Sequence, residues 1–248
     1  MLELVSVIKS FDANVAVNQV SLRVDSCQLT ALIGPNGAGK TTVLDLISGF
    51  LSPDEGLIRF DGTDLFTMKA WQRAARWVTR TFQHVRDTAS LTCLENVQLC
   101  VRHQAGANLL KAVVCRRMWR RQESEVAEHA HCILSDLGIS DLSSRRAGDL
   151  SFGQRKLLAL AGALAHDGDL FLLDEPFSGL DTAKKDTVAR VLCGLSTTGK
   201  HVLFVEHNLH LVNLISNRVV ALDRGRVIAD GMPNEVLAST ELMRAYTR

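Results

Sequence analysis

The chain contains the stretch Gly34-Pro35-Asn36-Gly37-Ala38-Gly39-Lys40-Thr41 between a predicted strand and a predicted helix. This stretch matches the pattern GxxxxGK[ST] at every specified position. The apolar run Ala31–Ile33 before it is typical of a strand, and Thr41–Phe50 after it carries the apolar spacing of a helix. Since a phosphate-binding loop needs this strand–loop–helix context, we predict that the stretch binds phosphate groups.

The residue types of this loop suit a triphosphate that carries a divalent cation. Glycines let backbone N–H groups turn inward toward phosphate oxygens, and the helix N-terminus adds the positive end of its dipole. We expect Lys40 to place a positive charge on the β and γ phosphates and Thr41 to offer a hydroxyl to Mg²⁺. The residues that we expect at this site are Asn36, Gly37, Gly39, Lys40, Thr41 and Thr42.

A second pattern, Leu170-Phe171-Leu172-Leu173-Asp174-Glu175, ends a buried strand with two carboxylates. We expect Asp174 to hold Mg²⁺, through water, and Glu175 to polarise the attacking water. A metal-bound triphosphate needs both functions near its γ-phosphate. Two adjacent acids after a strand are common at protein surfaces, but together with the glycine-rich loop they indicate hydrolysis.

Length and composition describe a globular α/β protein. The chain has 248 residues, of which 46% are apolar and 22% charged, so a disordered chain is excluded. Strand and helix signals alternate near both ends, which indicates a parallel sheet covered on both faces. Residues 92–148 carry mostly helical signals. We therefore predict an α/β core that is interrupted by a helical insert.

Charge and hydropathy exclude several classes of protein. The sequence has 28 Lys and Arg against 27 Asp and Glu, and its aromatic content is only 5%, so we expect no nucleic acid partner. We interpret the basic stretch 116–121 as a solvated helix face, with lipid or nucleic acid contact as the alternative. The apolar run Leu157–Ala165 is too short to span a membrane, and the N-terminus lacks the features of a secretory signal.

A third motif, Leu150-Ser151-Phe152-Gly153-Gln154, lies shortly before the strand that ends at Asp174. It resembles the signature of the ATP-binding subunits of ABC transporters, although the family usually has Gly where Phe152 stands. The resemblance extends over essentially the whole chain. It implies that Ser151, Gly153 and Gln154 contact ATP held by the phosphate loop of another subunit.

Other residues follow in the order that the family shows. Phe11 resembles the aromatic residue that stacks on adenine, and an ordinary core Phe is the alternative. Gln83 resembles the glutamine that senses Mg²⁺ and the γ-phosphate. Asp181, in Ser178-Gly179-Leu180-Asp181, matches the loop that communicates between subunits. His207, in Val205-Glu206-His207-Asn208, matches the histidine that contacts the γ-phosphate.

The resemblance implies that this chain is one subunit of a larger complex. It implies a P-loop NTPase (RecA-like) core with a mainly parallel sheet, an N-terminal antiparallel β subdomain and an inserted α-helical subdomain. It places the core at residues 1–83 and 155–248 and the helical subdomain at 84–154, all within a single ABC ATPase domain spanning 1–248. The activity implied is hydrolysis of ATP with Mg²⁺, with Glu175, His207 and Gln83 in catalytic roles and Thr41, Gln83 and Asp174 at the metal.

The implied partners are a second ATP-binding subunit, two transmembrane permease subunits and an extracytoplasmic solute-binding protein. The second ATP-binding subunit is either an identical copy or a similar sibling chain. The implied location is the cytoplasmic face of the inner cell membrane, where the chain is peripheral.

Finer resemblance indicates one branch of the family. Arg80-Thr81-Phe82-Gln83, Leu94-Glu95-Asn96-Val97 and the ending Ala245-Tyr246 look like importers of branched-chain amino acids and of urea or amides. An ATPase subunit of an exporter, including a lipid exporter, is the alternative within transporters. A soluble ABC-type assembly ATPase is the alternative outside them.

Overall fold

The structure is a computed structural model that describes residues 1–81, 89–102 and 116–247, with the side chains of residues 116–122 excepted. The chain folds into two compact units. We call the first the core unit; it comprises Met1–Arg80, Gly168–Pro176 and Leu192–Arg248. We call the second the helical unit; it comprises Thr81–Asp167 and Phe177–Val191.

The strands of the described residues all belong to the core unit. They are β1 (Leu2–Phe11), β2 (Asn14–Val24), β3 (Gln28–Ile33), β4 (Glu55–Phe60), β5 (Thr63–Asp64), β6 (Val78–Arg80), β7 (Leu170–Asp174), β8 (His201–Val205), β9 (Arg218–Asp223) and β10 (Arg226–Gly231). Six of them form one sheet in the order β10-β9-β3-β8-β7-β6. The other four form a second sheet in the order β2-β1-β4-β5.

The six-stranded sheet is parallel except at β10, which pairs antiparallel with β9. Every residue of β7 and β8 is buried. A strand covered on both faces reads as a continuous apolar run, which is why Leu170–Leu173 is recognisable in the sequence. The same burial explains the apolar runs of β3 and β9.

The four-stranded sheet is antiparallel throughout. Its strands bury alternate residues, such as Leu2 and Leu4 on β1 and Ile58 and Phe60 on β4. This alternation follows from the two-residue period of a strand that has one face on the core. The buried face joins one hydrophobic cluster with Leu44 and other residues of the core unit.

The helices of the described residues are α1 (Lys40–Ser48), α2 (Ala70–Arg76), α3 (Cys93–Cys100), α4 (Arg116–Asp136), α5 (Phe152–His166), α6 (Thr182–Thr197), α7 (Leu209–Ile215), α8 (Pro233–Leu237) and α9 (Thr240–Tyr246). Of these, α3, α4 and α5 lie in the helical unit, and α6 begins there and ends in the core unit. Two 3-10 turns, Ser140–Leu142 and Ala147–Asp149, precede α5.

The predicted fold class is confirmed: a mainly parallel sheet, an N-terminal antiparallel sheet and an inserted helical region are all present. The domain boundaries stay a prediction. The sequence-based boundary puts residues 155–167 and 177–191 in the core, whereas in the structure these residues group with the helical unit. The difference arises because α5 packs against α3 and α4.

A buried arginine closes the C-terminal end of α1. Arg73 lies on α2 and is only 2% exposed, and its guanidinium donates to the carbonyls of Leu46 at 2.7 Å and Ile47 at 2.9 Å. Its Nε also donates to the carbonyl of Met68 at 3.0 Å. Carbonyls in the last turn of a helix lack helical partners, and the helix dipole favours a cation there. Burial lowers the pKa of Arg73, and the charge of Asp64 opposes that change.

We predict that Arg73→Met lowers the free energy of unfolding by about 3 kcal/mol, because buried carbonyls lose their donors. Urea unfolding followed by circular dichroism measures this loss. Arg76→Met is the matched control, since Arg76 is exposed on the same helix and should cost less than ~1 kcal/mol. Equal losses for the two variants would contradict the capping role of Arg73.

Candidate active site

Three segments that carry predicted site residues leave the same edge of the six-stranded sheet. In the parallel register, Leu32 of β3 and Asp174 of β7 both pair with Val205 of β8. The phosphate loop therefore begins next to the position of Glu175, and His207 follows β8 by two residues. Ligands of open parallel sheets bind beyond the carboxyl ends of the strands, so this edge is where a site is expected.

The loop glycines allow the backbone of the loop to lie closer to neighbouring strands than any side chain would permit. Gly39 has φ +99° and caps the N-terminus of α1, and a Cβ atom on it would lie 2.4 Å from the carbonyl oxygen of Ala16. A Cβ atom on Gly34 would lie 2.1 Å from the carbonyl oxygen of Leu222. The loop is thus held tightly against β2 on one side and β9 on the other.

Lys40 is buried at the base of the loop. Its Nζ donates to the carbonyls of Gly34 at 2.7 Å and Pro35 at 2.9 Å, so the ammonium lies inside the curl of the loop. Burial lowers the pKa of Lys40, while the nearby carboxylates of Glu175 and Asp174 act in the opposite direction. These contacts direct the charge of Lys40 toward the position where phosphate oxygens would lie.

Glu175 and His207 form a hydrogen-bonded pair. Nε2 of His207 lies 2.9 Å from Oε1 of Glu175, and the side chains of His207 and Glu175 are 40% and 30% exposed. Glu175 has φ +48°, and its N–H donates to the carbonyl of Val205 at 3.0 Å. A left-handed conformation is costly for a glutamate, on the order of 1–2 kcal/mol. With the backbone in this conformation, the carboxylate faces the histidine.

These side chains line a single cleft of about 490 Å³, all of it within the core unit. The cleft is large enough for much of a nucleotide, and it is open to solvent on one side. Its lining includes every residue predicted at the phosphate loop, together with the two acids at the end of β7 and the histidine after β8. These residues are Asn36, Gly37, Gly39, Lys40, Thr41, Thr42, Asp174, Glu175 and His207.

Among the described residues, the other predicted site residues do not line this cleft. Phe11 lies at the turn between β1 and β2, is 44% exposed, and has the Nζ of Lys9 5.7 Å above its ring. The signature residues and Asp181 belong to the helical unit. Gln83 lies outside the described residues.

The signature forms the start of α5. Ser151 is its N-cap: Oγ accepts from the N–H of Gln154 at 3.3 Å, and Oε1 of Gln154 accepts from the N–H of Ser151 at 2.9 Å. This capping box satisfies two backbone groups that a helix start leaves unpaired. Gly153 is required for packing, because a Cβ atom there would lie 2.7 Å from the carbonyl oxygen of Gly179.

Asp181 caps the start of α6 in a similar way. Its Oδ1 accepts from the N–H of Lys184 at 2.9 Å. That hydrogen bond holds the pKa of Asp181 below its usual value. The carboxylate is therefore ionised at neutral pH. It is also exposed to solvent at the start of the helix.

The cleft also contains residues that the sequence did not predict. Asn14, Val15 and Ala16 at the start of β2 line it, as do Val205 and Arg224. Arg224 is in the turn between β9 and β10, where the N–H of Gly225 donates to the carbonyl of Ala38 at 3.0 Å. Only the pairing of distant strands brings this turn to the phosphate loop, so no local pattern could have revealed it.

Comparison with known families assigns the chain. The family model described as ABC transporter matches residues 17–178, which include the phosphate loop, the signature and the two acids at the end of β7. The chain belongs to the ABC transporter family. Fold, cleft and motif order all agree with this membership.

Two curated members of the ABC transporter family resemble the chain over nearly its full length. It is 34% identical to the high-affinity branched-chain amino acid transport ATP-binding protein BraF of Pseudomonas aeruginosa, over 99% of this chain and 97% of that protein. It is 32% identical to the protein of the same description, LivG, of Escherichia coli, over 95% of this chain and 93% of that protein.

Solved structures of ABC transporter cassettes share the fold. A nucleotide-free ATP-binding cassette has a TM-score of 0.84 and 30% identity, covering 99% of this chain and 98% of that one. A cassette in its ADP conformation has a TM-score of 0.83 and 30% identity, covering 100% of this chain and 98% of that one. In the described part of this ABC transporter chain, no helix is long and apolar enough to cross a membrane.

Proposed function

We propose that this chain is the ATP-hydrolysing subunit of an ABC importer of branched-chain amino acids or of chemically related small amides. The observation that carries the proposal is the full-length likeness to BraF and LivG, together with an intact cleft. ATP is the substrate of the cleft, and its hydrolysis supplies the free energy for transport.

The phosphate loop binds the triphosphate through its backbone and through Lys40. In the structure the Lys40 ammonium rests on two carbonyls of its own loop, which phosphate oxygens can replace as partners. Backbone N–H groups at the start of α1 supply further donors, and the helix dipole favours the negative charge. Binding thus uses groups that are already in place before ATP arrives.

Glu175 and His207 act on the attacking water. Glu175 holds the water by hydrogen bonding and accepts its proton as the water oxygen attacks the γ-phosphorus and the bond to the β–γ bridging oxygen breaks. His207 donates a hydrogen bond either to Glu175 or to an oxygen of the γ-phosphate. It can therefore connect the proton acceptor with the substrate. The 2.9 Å contact between His207 and Glu175 supports this assignment.

The donor set of the cleft fits Mg²⁺. Thr41 offers a hydroxyl and Asp174 offers a carboxylate in the same cleft. The described residues contain no group of three or more His, Cys, Asp or Glu side chains that could hold a metal by themselves. Mg²⁺ is usually held by one or two carboxylates together with substrate phosphates and water. We propose that Thr41, Asp174 and Gln83 would hold the ion, which would supply positive charge against the phosphates.

Two copies, or this chain and a similar sibling, complete the site. Ser151, Gly153 and Gln154 are in the helical unit, whereas the described residues that line the cleft belong to the core unit. We propose that these three residues contact ATP held by the loop of the other subunit, and that Asp181 communicates between the subunits. Phe11, exposed near the start of β2, would stack on adenine.

The remaining partners follow from the proposed role in transport. An ATP-hydrolysing subunit supplies free energy, while the solute itself needs a path through the membrane and a protein that delivers it. We propose two transmembrane permease subunits, a solute-binding protein outside the membrane, and a peripheral position for this chain at the cytoplasmic face.

Glu175→Gln should bind ATP within a few-fold of the wild-type affinity and release phosphate at least about 100-fold more slowly. The amide keeps the size and hydrogen bonding of the side chain but cannot accept the proton. Steady-state phosphate release and calorimetric ATP binding measure the two quantities. Glu55→Gln, an exposed glutamate on β4, is the control and should behave as wild type. Undiminished release by Glu175→Gln would refute its catalytic role.

A mixed dimer distinguishes composite sites from sites within one chain. When one subunit carries Lys40→Ala and the other Ser151→Arg, a composite arrangement leaves one intact site. When both changes are on one subunit and its partner is wild type, a composite arrangement leaves none. Sites confined to single chains give the reverse pattern. Cross-linking of an azido-ATP analogue to each subunit reads out the result, and the reverse pattern would refute the composite site.

Transport is tested in cells that lack this chain. We predict that uptake of labelled leucine, isoleucine or valine falls to background, that the wild-type chain restores it, and that Glu175→Gln does not. Labelled urea and acetamide are measured in parallel. Restoration limited to the amides would reassign the substrate within the proposed class, and unchanged uptake of all five compounds would overturn the importer assignment.

A further inference from the structure

The last helix of the chain is fixed in rotation by its buried face. In α9, Leu242 is 2% exposed and Ala245 is 8% exposed, and the Oγ of Ser239 caps the helix by accepting from the N–H of Leu242 at 3.4 Å. Residues three and four apart share one face of a helix. Burial of Leu242 therefore determines the direction of Tyr246, which lies four residues later.

Tyr246 reaches the first residue of the phosphate loop. Its hydroxyl oxygen accepts a hydrogen bond from the N–H of Gly34 at 3.1 Å, across a separation of 212 residues. The side chain belongs to the only tyrosine of the sequence. Tyr246 is 39% exposed, and the burial of the rest of its side chain raises its pKa against the opposing effect of the Gly34 hydrogen bond, so the phenol is neutral at physiological pH.

Gly34 is thereby held from three directions. Its N–H donates to Tyr246, its carbonyl accepts from the Lys40 ammonium, and its Cα faces the carbonyl of Leu222 too closely for any side chain. Gly34 is buried among these groups, and it connects β3 to the loop. These contacts together fix the position of Gly34, the residue from which the loop starts.

We propose that Tyr246 is a positioning residue of the phosphate loop, whose hydroxyl holds Gly34 and so couples docking of the C-terminal helix to affinity for ATP. This inference rests on the proposed binding of ATP at the loop. Coupling of this kind is reciprocal: if the docked helix strengthens ATP binding by some factor, ATP stabilises the docked helix by the same factor.

Tyr246→Phe tests the coupling, because it removes one oxygen and keeps the ring. The net value of a neutral hydrogen bond predicts a Kd for ATP that is about 3- to 10-fold higher. KM should rise by the same factor, while kcat at saturating ATP stays within about twofold, since the reacting groups are untouched. A purely structural role would lower Tm and leave the Kd and KM of the folded protein unchanged.

Thr247→Val is the matched control. The Oγ1 of Thr247 donates to the carbonyl of Met243 at 2.9 Å, so this variant also loses a hydrogen bond at the end of α9 without touching the loop. It should keep the wild-type Kd. Equal Kd values for wild type and Tyr246→Phe would overturn the coupling alone, whereas a wild-type chain that fails to bind ATP would overturn the proposed function.

A spectroscopic measurement addresses the same coupling in the wild-type sequence. Because the chain has one tyrosine, 3-fluorotyrosine introduces a single ¹⁹F label beside the hydroxyl of Tyr246. We expect its resonance to shift on saturation with ATP, and Lys40→Ala to abolish the shift at the same ATP concentration. An unchanged resonance in labelled protein that binds ATP would overturn the proposal.

Discussion

The site depends on the parallel pairing of β3, β8 and β7. Leu32, Val205 and Asp174 form one row across these strands, so the segments that follow them begin side by side. A shift of one residue in this register would reverse the facing of every side chain on a strand. Since β7 and β8 are wholly buried, such a shift is prevented by the core itself. Hydrophobic packing thus sets the positions of the phosphate loop, Glu175 and His207 relative to one another.

The polar groups of the cleft form hydrogen bonds with one another, and a ligand can replace these contacts. Lys40 donates to carbonyls of its own loop, and the nearby carboxylates of Glu175 and Asp174 favour its charged form against burial. A buried charge is tolerated when it is paired and hydrogen-bonded. The phosphates of ATP offer Lys40 stronger partners than the neutral carbonyls, because charge-assisted hydrogen bonds are stronger. The cleft is therefore prepared for an anion.

Much of the fold and of the cleft could be predicted from the sequence, because the decisive signals are local. The apolar run of β7 and the pattern around Lys40 identify the central strands and the residues of the cleft. Local patterns do not predict the roles of Arg73, Tyr246 and Arg224. Tyr246 and Arg73 act through partners that are distant in sequence, Gly34 and Leu46, and Arg224 reaches the cleft only through the pairing of distant strands. No short-range periodicity records such relations. The grouping of α5 with the helical unit likewise depends on tertiary packing.

The strained backbone of Glu175 is compatible with the role that we propose for its side chain. Glu175 adopts φ +48° at the end of a wholly buried strand, where β7 cannot adjust to relieve it. Such strain persists only where the surroundings over-determine the conformation. Here the hydrogen bond from the Glu175 N–H to Val205 and the contact with His207 do so. The contact with His207 orients the carboxylate toward the histidine. A glycine would satisfy this backbone at lower cost but could not accept a proton, so the strain is consistent with the proton-accepting role that we propose for Glu175.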